Sequence, residues 1–293
     1  MEEEYDLGIP HPIKPYQKLI INAAITGMVP TKKDNPYVPV SVDEIIKDAI
    51  NCYRAGASIL HIHARDNDQK PTYKKEIYAQ IIEGIRSQCS DVIICATTSG
   101  RVHNTFEKRS QVLELSGDLK PDMGSLTMGS LNFPKQASVN TPEMIERLAL
   151  KMKENGIVPE IEIFETGMIS TSKVMIKKGI LKAPFYFNLL FGSVYSIPAT
   201  MFDLSYMVKS LPPDVNWAAA GIGKFQLKIN FASVLMGGNV RVGLEDNLFY
   251  NQENKELATN EMLILRVAKF ANEVGRKVAT AKEAREILGI HQN

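Results

Sequence analysis

Short runs rich in Ile, Val and Leu recur roughly every 30 residues along this 293-residue chain, with amphipathic helical patterns filling the intervals. That recurrence leaves few folds open. Runs that are apolar on both alternating faces are what strands buried on both sides look like, and parallel strands need a crossover between them. Eight such units can be counted: KLIINAAI (18–25), ASILHIHA (57–64), DVIICATT (91–98), PDMGSLT (121–127), VPEIEIF (158–164), PFYFNLLF (184–191), VNWAAAG (215–221) and GNVRVGL (238–244).

The intervening helices carry their own punctuation. In SVDEIIKDAINCYRAG, Ser41 can cap the N-terminus and Gly56 can stop the helix. In TPEMIERLALKMKENG, Thr141 caps, Pro142 takes the first turn, and Glu143 and Glu146 suit the positive end of the dipole. Eight alternations without a Ser/Gly-rich linker predict an α/β fold, a single (β/α)₈ TIM barrel over 1–293, which typically needs about 250 residues. An open doubly wound sheet is the alternative. The pieces outside the pattern are an N-terminal arm (1–17) with three prolines, a Pro- and Lys-rich loop (27–40), and a C-terminal extension (276–293) with a helix near TAKEAREILG. The barrel proper is expected over 18–275, and a loop as long as 27–40 usually covers a site or an interface.

With 34 basic and 33 acidic residues spread evenly, nothing marks a nucleic-acid surface. No run approaches the roughly 18 apolar residues of a membrane span, and MEEEYD is acidic where a signal peptide is basic, so a cytoplasmic, soluble protein with no membrane partner is expected. Cys52, Cys89 and Cys95 are odd in number and lack C-x-x-C spacing, which favours small apolar fillers over disulfides or metal ligands.

His61 and His63 carry the sharpest chemical signal. Two residues apart on a strand, they face one side, about 6.6 Å apart along the chain, which suits two ligands on one metal. They could also simply end a strand. His11, His103 and His291 lie away from the predicted strands, so a metal needs a carboxylate, and Glu245 at the end of the last strand offers one. In a barrel, all C-terminal strand ends converge on one face. A His₂Glu set with an open position suits Zn²⁺, without excluding Mn²⁺, Fe²⁺ or Co²⁺, and would polarise a carbonyl. Glu245 and Asp246 as exposed loop carboxylates remain the alternative.

HIHARD, TTSGR (97–101), MGSLTMGSLNF (123–133) and RVGLEDN (241–247) together resemble the β-keto acid cleavage enzymes, over most of the chain. The resemblance implies zinc on His61, His63 and Glu245, and Asp246 as the base, oriented by Arg241, taking a proton from the carbon between keto and carboxylate groups. It implies acetyl-CoA as co-substrate, acetoacetate and a new acyl-CoA as products, and a retro-Claisen cleavage between them. It further implies a strand-three hydroxyl, here Thr97, and a strand-five carboxylate, here Glu162, near the base. Thr97 and Thr98 cannot both face inward, and Glu160 shares a face with Glu162. A carboxylate inside an apolar strand is costly without a partner, which favours a functional Glu162.

Substrate contacts implied by the same resemblance are Thr98, Ser99, Gly100, Thr127 and Asn132, although the hydroxyl of Thr127 could equally satisfy local backbone. Lys224 in GIGKFQ stands where the family commonly has arginine and is the candidate contact to an anionic group of the cofactor. Asn22 and the Met28–Tyr37 loop are candidate contacts for the variable end of the keto acid, and the absence of an acid near Asn22 weakens the case for a cationic tail. The proline-rich arm and the FYFNLLF region fit a homotetramer. Two other readings stay open: a metal-dependent barrel hydrolase or aldolase, and a barrel that binds an acyl-CoA or metabolite without turnover. Against the hydrolase, a full strand precedes HIH and no later strand carries a histidine.

Overall fold

The computed structural model describes residues 16–291; His11 and most of the N-terminal arm lie outside them. All eight apolar runs form strands: β1 (Ile21–Ala24), β2 (Ile59–Ile62), β3 (Ile93–Ala96), β4 (Met123–Thr127), β5 (Val158–Ile163), β6 (Tyr186–Phe191), β7 (Asn216–Gly221) and β8 (Asn239–Val242). Every neighbouring pair is parallel, and the sheet closes where Asn22 of β1 lies opposite both Arg241 of β8 and Ile59 of β2. Closure removes the free edges that an open doubly wound sheet would keep. The fold is a (β/α)₈ barrel.

The helices are α1 (Val42–Arg54), α2 (Lys75–Arg86), α3 (Phe106–Arg109), α4 (Pro142–Glu154), α5 (Thr166–Lys177), α6 (Met201–Ser210), α7 (Gln226–Leu235), α8 (Asn260–Glu273) and α9 (Ala281–Leu288). Ser41 and Thr141 cap as the sequence predicts, Ser41 in a reciprocal capping box with Glu44. The third crossover departs from the alternation. It is a four-residue helix followed by two 3₁₀ turns, because Arg109 turns inward to donate to the Thr98 carbonyl and to Asn140 Oδ1. No helix among the described residues is long and apolar enough to cross a membrane.

Strand alternation sorts the barrel into shells. Outward residues such as Leu60, Ile94, Ile161, Phe187 and Val240 pack under the helices in the main core. Inward residues change character along the barrel axis. At the bottom Ile20, Ile59, Ile93, Met123 and Tyr186 form a second apolar cluster, which Ala284 and Leu288 of α9 and Ile290 complete. The C-terminal extension is therefore a plug over the bottom mouth, anchored by Arg285, which donates to Asp122 and to the carbonyls of Asp91 and Val92. One layer up the interior turns polar, and the chemistry gathers at the opposite end.

Asn260, at the start of α8, fixes that end. It is fully buried, accepts from the Leu244 N–H at 2.7 Å, and donates to the Ile25 carbonyl and to the Asp48 carboxylate of α1. Burial raises Asp48 from 3.8 to about 6 in spite of the Asn260 hydrogen bond. The folded state then binds more protons than the unfolded state between those values, so stability falls as pH rises through that window, and the loss is complete above it. Asp48→Asn keeps an acceptor for Asn260 and removes the charge. The variant should gain up to about 3 kcal/mol near pH 8 and almost nothing near pH 4, as thermal unfolding at the two values will read. Destabilisation of the same size at both would refute this account.

Candidate metal and catalytic centre

His61 and His63 emerge from β2 on the same inner face, with their Nε2 atoms 3.4 Å apart. Glu245 arrives from the turn after β8, its Oε1 3.2 Å from His63 Nε2 and its Oε2 3.7 Å from His61 Nε2. Two glycines permit this convergence. At Gly243 (φ +153°) a Cβ would stand 2.1 Å from the Ala24 carbonyl oxygen, and at Gly27 (φ +64°) one would stand 2.7 Å from Glu245 Cγ. The turn after β8 thus presses against β1 with Glu245 wedged at the seam.

Glu160 of β5 accepts from His61 Nδ1 at 2.7 Å, which turns His61 Nε2 towards His63 Nε2. His63 Nε2 also faces Glu245 Oε1, and Glu245 Oε2 beside the two imidazoles is buried without a hydrogen-bond partner. The three donors lie within 4.8 Å of one another. A divalent cation would engage that unpartnered oxygen together with one nitrogen of each imidazole, so the residues fit a metal.

Arg241 is fully buried and links the acidic groups. Its Nε donates to Asp246 Oδ2 at 2.9 Å, Nη2 to Glu245 Oε1 at 2.8 Å and Nη1 to Glu162 Oε1 at 3.3 Å. Thr127 completes the set by donating to Glu162 Oε2 at 2.7 Å. Burial raises Asp246, Arg241 works against it, and the adjacent Glu245 charge raises it further; the net direction is upward. Burial likewise raises Glu162, with Arg241 opposing and Glu160 adding. Burial alone would raise Glu245 too, but His63 and Arg241 together hold it well below the usual range. One cluster therefore holds a firmly anionic carboxylate beside carboxylates displaced towards neutrality, the arrangement that lets one bind and another move protons.

Glu160 is the functional neighbour that sequence reasoning left without a role. Fully buried, it accepts from Asn22 of β1, Asn188 of β6, His61 and the Cys95 thiol. His61 and Arg241 offset the cost of burial and hold Glu160 down at about 2. His61, Cys95 and Glu160 also bring donor atoms together, but His61 Nδ1 is committed to Glu160, and burial pushes the Cys95 thiol well up so that it keeps its proton. This second group is a hydrogen-bonded support. Cys95 is thus more than a filler, whereas Cys52 and Cys89 are buried and free.

Above the cluster opens a cavity of about 440 Å³ walled by the loops after the strands. His63, Thr97, Ser99, Thr127, Glu162, Arg241, Glu245 and Asp246 line it. Five expected contacts do not. Thr98 has the opposite strand parity to Thr97 and donates to the Ser125 carbonyl; Gly100 instead leaves room for the Arg109 guanidinium, which a Cβ would meet at 2.7 Å. Asn132 is exposed on a short hairpin (Leu131–Asn132 with Ala137–Ser138) whose neighbours Leu131 and Phe133 face the cavity. Lys224 is exposed on a 3₁₀ turn, beside Phe225. Asn22 lies mid-strand beneath Glu160, out of reach of a substrate tail, while Met28, Val29 and Pro30 do line the cavity. Arg65 of HIHARD pins that loop by donating to the carbonyls of Gly27 and Pro30.

A closed parallel barrel with imidazoles, carboxylates and the buried Arg241 gathered at the C-terminal ends of its strands defines a TIM-barrel enzyme. The sequence profile of the beta-keto acid cleavage enzymes matches residues 18–290, and the chain belongs to that family. Its enzyme class is that of acyltransferases acting on β-keto acids. Over 275 residues it is 40% identical to the 3-keto-5-aminohexanoate cleavage enzyme of Acetoanaerobium sticklandii, covering 94% of this chain and 99% of that one. Over 277 residues it is 35% identical to the 3-oxoadipate:acetyl-CoA acetyltransferase of Cupriavidus necator, covering 94% and 95%. Among solved structures, the apo structure of ObcA superposes with a TM-score of 0.80 at 18% identity, over 87% of this chain and 66% of ObcA, a likeness of fold.

Proposed function

We propose that this chain exchanges acyl groups between a β-keto acid and acetyl-CoA, giving acetoacetate and a new acyl-CoA, with zinc held by His61, His63 and Glu245. The observation that carries the reading is the buried Arg241–Asp246 pair set beside the three-residue cradle in one cavity. Zinc, when bound, supplies a Lewis acid that polarises the substrate's oxygens.

The chain's own residues supply the rest. Arg241 Nε fixes Asp246 through Oδ2, and the other carboxylate oxygen is left for the proton on the carbon between the keto and carboxylate groups. The carbanion attacks the acetyl carbonyl of acetyl-CoA and CoA thiolate leaves. The thiolate then attacks the substrate's keto carbon, the bond from that carbon to the methylene breaks, and Asp246 returns its proton to the departing acetoacetate carbanion. Thr97, on the cavity wall, is the hydroxyl nearest in role to the base, and Glu162, held by Thr127 and Arg241, is the second carboxylate able to relay a proton. We assign this reaction to the cytoplasm, where acetyl-CoA is supplied, and to a homotetramer, for which the exposed Phe202 and Tyr206 of α6 offer an apolar contact.

The test is acetyl-CoA-dependent release of acetoacetate from β-keto acids with neutral, cationic and anionic tails, run beside elemental analysis and sedimentation. Turnover with about one zinc per chain is expected. A zinc-loaded chain that turns over none of the three tails would remove the reaction, and sedimentation as a monomer would remove the tetramer.

A further inference from the structure

Two arginines line the cavity, and they are held in opposite ways. The Arg241 guanidinium is spent on Glu162, Glu245 and Asp246. The Arg101 guanidinium has no hydrogen bond or ion pair among the described residues and lies over the face of Phe133, 3.8 Å from the ring centroid. Phe133 is in turn braced edge-on by Phe164. Stacking on a ring holds a guanidinium by its flat face and leaves the in-plane N–H donors, the fork that matches a carboxylate, unspent.

The backbone beneath is fixed as well. The Arg101 N–H donates to Ser99 Oγ, and its carbonyl accepts from Gln136. No lining carboxylate is available to it, since Glu162, Glu245 and Asp246 are already paired. The rest of the lining is uncharged apart from His63, with Val29, Leu131, Phe133 and Phe249 beside neutral polar residues such as Ser99 and Ser138. A partly buried guanidinium with no protein acceptor is left to form charge-assisted, bidentate hydrogen bonds with a matching anion.

We propose that Arg101 is a carboxylate-binding subsite for the variable end of the substrate, and that the β-keto acid this chain takes ends in a second carboxylate. The inference rests on the β-keto acid reading of the site, in which the carboxylate next to the keto group is held at the cradle. Arg101 is then left for the far end of the molecule. A cationic tail would meet Arg101 with no free acid to receive it.

The experiment is calorimetric binding to the zinc-loaded protein without acetyl-CoA, so that no exchange can occur. The probes are 3-oxoadipate, which ends in a carboxylate, and 3-oxohexanoate, which has the same chain with a methyl end. The unaltered protein should bind 3-oxoadipate at least about 10-fold more tightly. Arg101→Gln should abolish that preference while leaving 3-oxohexanoate within about threefold and metal content unchanged, and Arg101→Lys should keep part of it. No preference in the unaltered protein overturns the subsite. So does an equal loss for both probes in Arg101→Gln, which would give Arg101 the carboxylate they share. Failure of the reaction itself reads differently: a chain that prefers 3-oxoadipate in binding yet releases no acetoacetate with acetyl-CoA keeps the subsite and loses the proposed chemistry.

Discussion

Asp246→Asn should keep its full complement of metal and lose about 10²- to 10⁴-fold in kcat, the range that a positioned general base contributes. The amide has the shape of the carboxylate and can still accept from Arg241 Nε, so the local packing around that 2.9 Å bond survives. It cannot take a proton. Glu245, not Asp246, completes the cradle, so in the proposed reaction metal binding and proton abstraction fall to neighbouring residues and should separate in this variant. A second readout isolates the step: without acetyl-CoA, the unaltered chain should exchange the methylene protons of its β-keto acid with deuterated solvent, and Asp246→Asn should not. Wild-type turnover in the variant would remove Asp246 as the base.

The separate roles of Glu245 and Asp246 came only from the family resemblance of RVGLEDN, but their placement at the end of the last strand was open to sequence reading. So was the barrel, since eight apolar runs with helices between them have few other ways to bury both faces, and so was the pairing of His61 with His63, which follows from strand alternation. What escaped was non-local or depended on parity. Thr97 and Thr98 are adjacent, and which one faces the cavity depends on where β3 sits in the register, fixed by pairing of Cys95 with Met123. Asn132 turned outward because its segment forms a hairpin of its own.

Glu160 shows the limit most clearly. Its partners come from β1, β2, β3 and β6, so its role depends on how the closed sheet staggers, and no spacing along the chain encodes that stagger. The available signal was compositional. Asn22 in INAA and Asn188 in YFNLLF are lone polar residues within buried apolar strands, and buried polar groups need partners.

His61→Ala should lose metal and turnover together, and Glu160→Gln should show that the support beneath the cradle is worth a measurable part of the affinity. Removing the imidazole takes away one of three ligands and leaves the buried Glu160 charge without its shortest protein partner apart from Asn22, so thermal stability should fall along with zinc content. Glu160→Gln is milder. All three metal ligands remain, but the neutral amide offers one acceptor oxygen to the four donors of Asn22, Asn188, Cys95 and His61, so the anionic acceptor that aims His61 Nε2 is lost. A loss of about 10- to 100-fold in zinc affinity is expected, in competition with a chelator, with an intact metal stoichiometry at saturation. If His61→Ala retained full metal content, the cradle would not be the metal site; if Glu160→Gln bound zinc as tightly as the unaltered chain, the four hydrogen bonds to Glu160 would serve the packing of the barrel interior and not the orientation of His61.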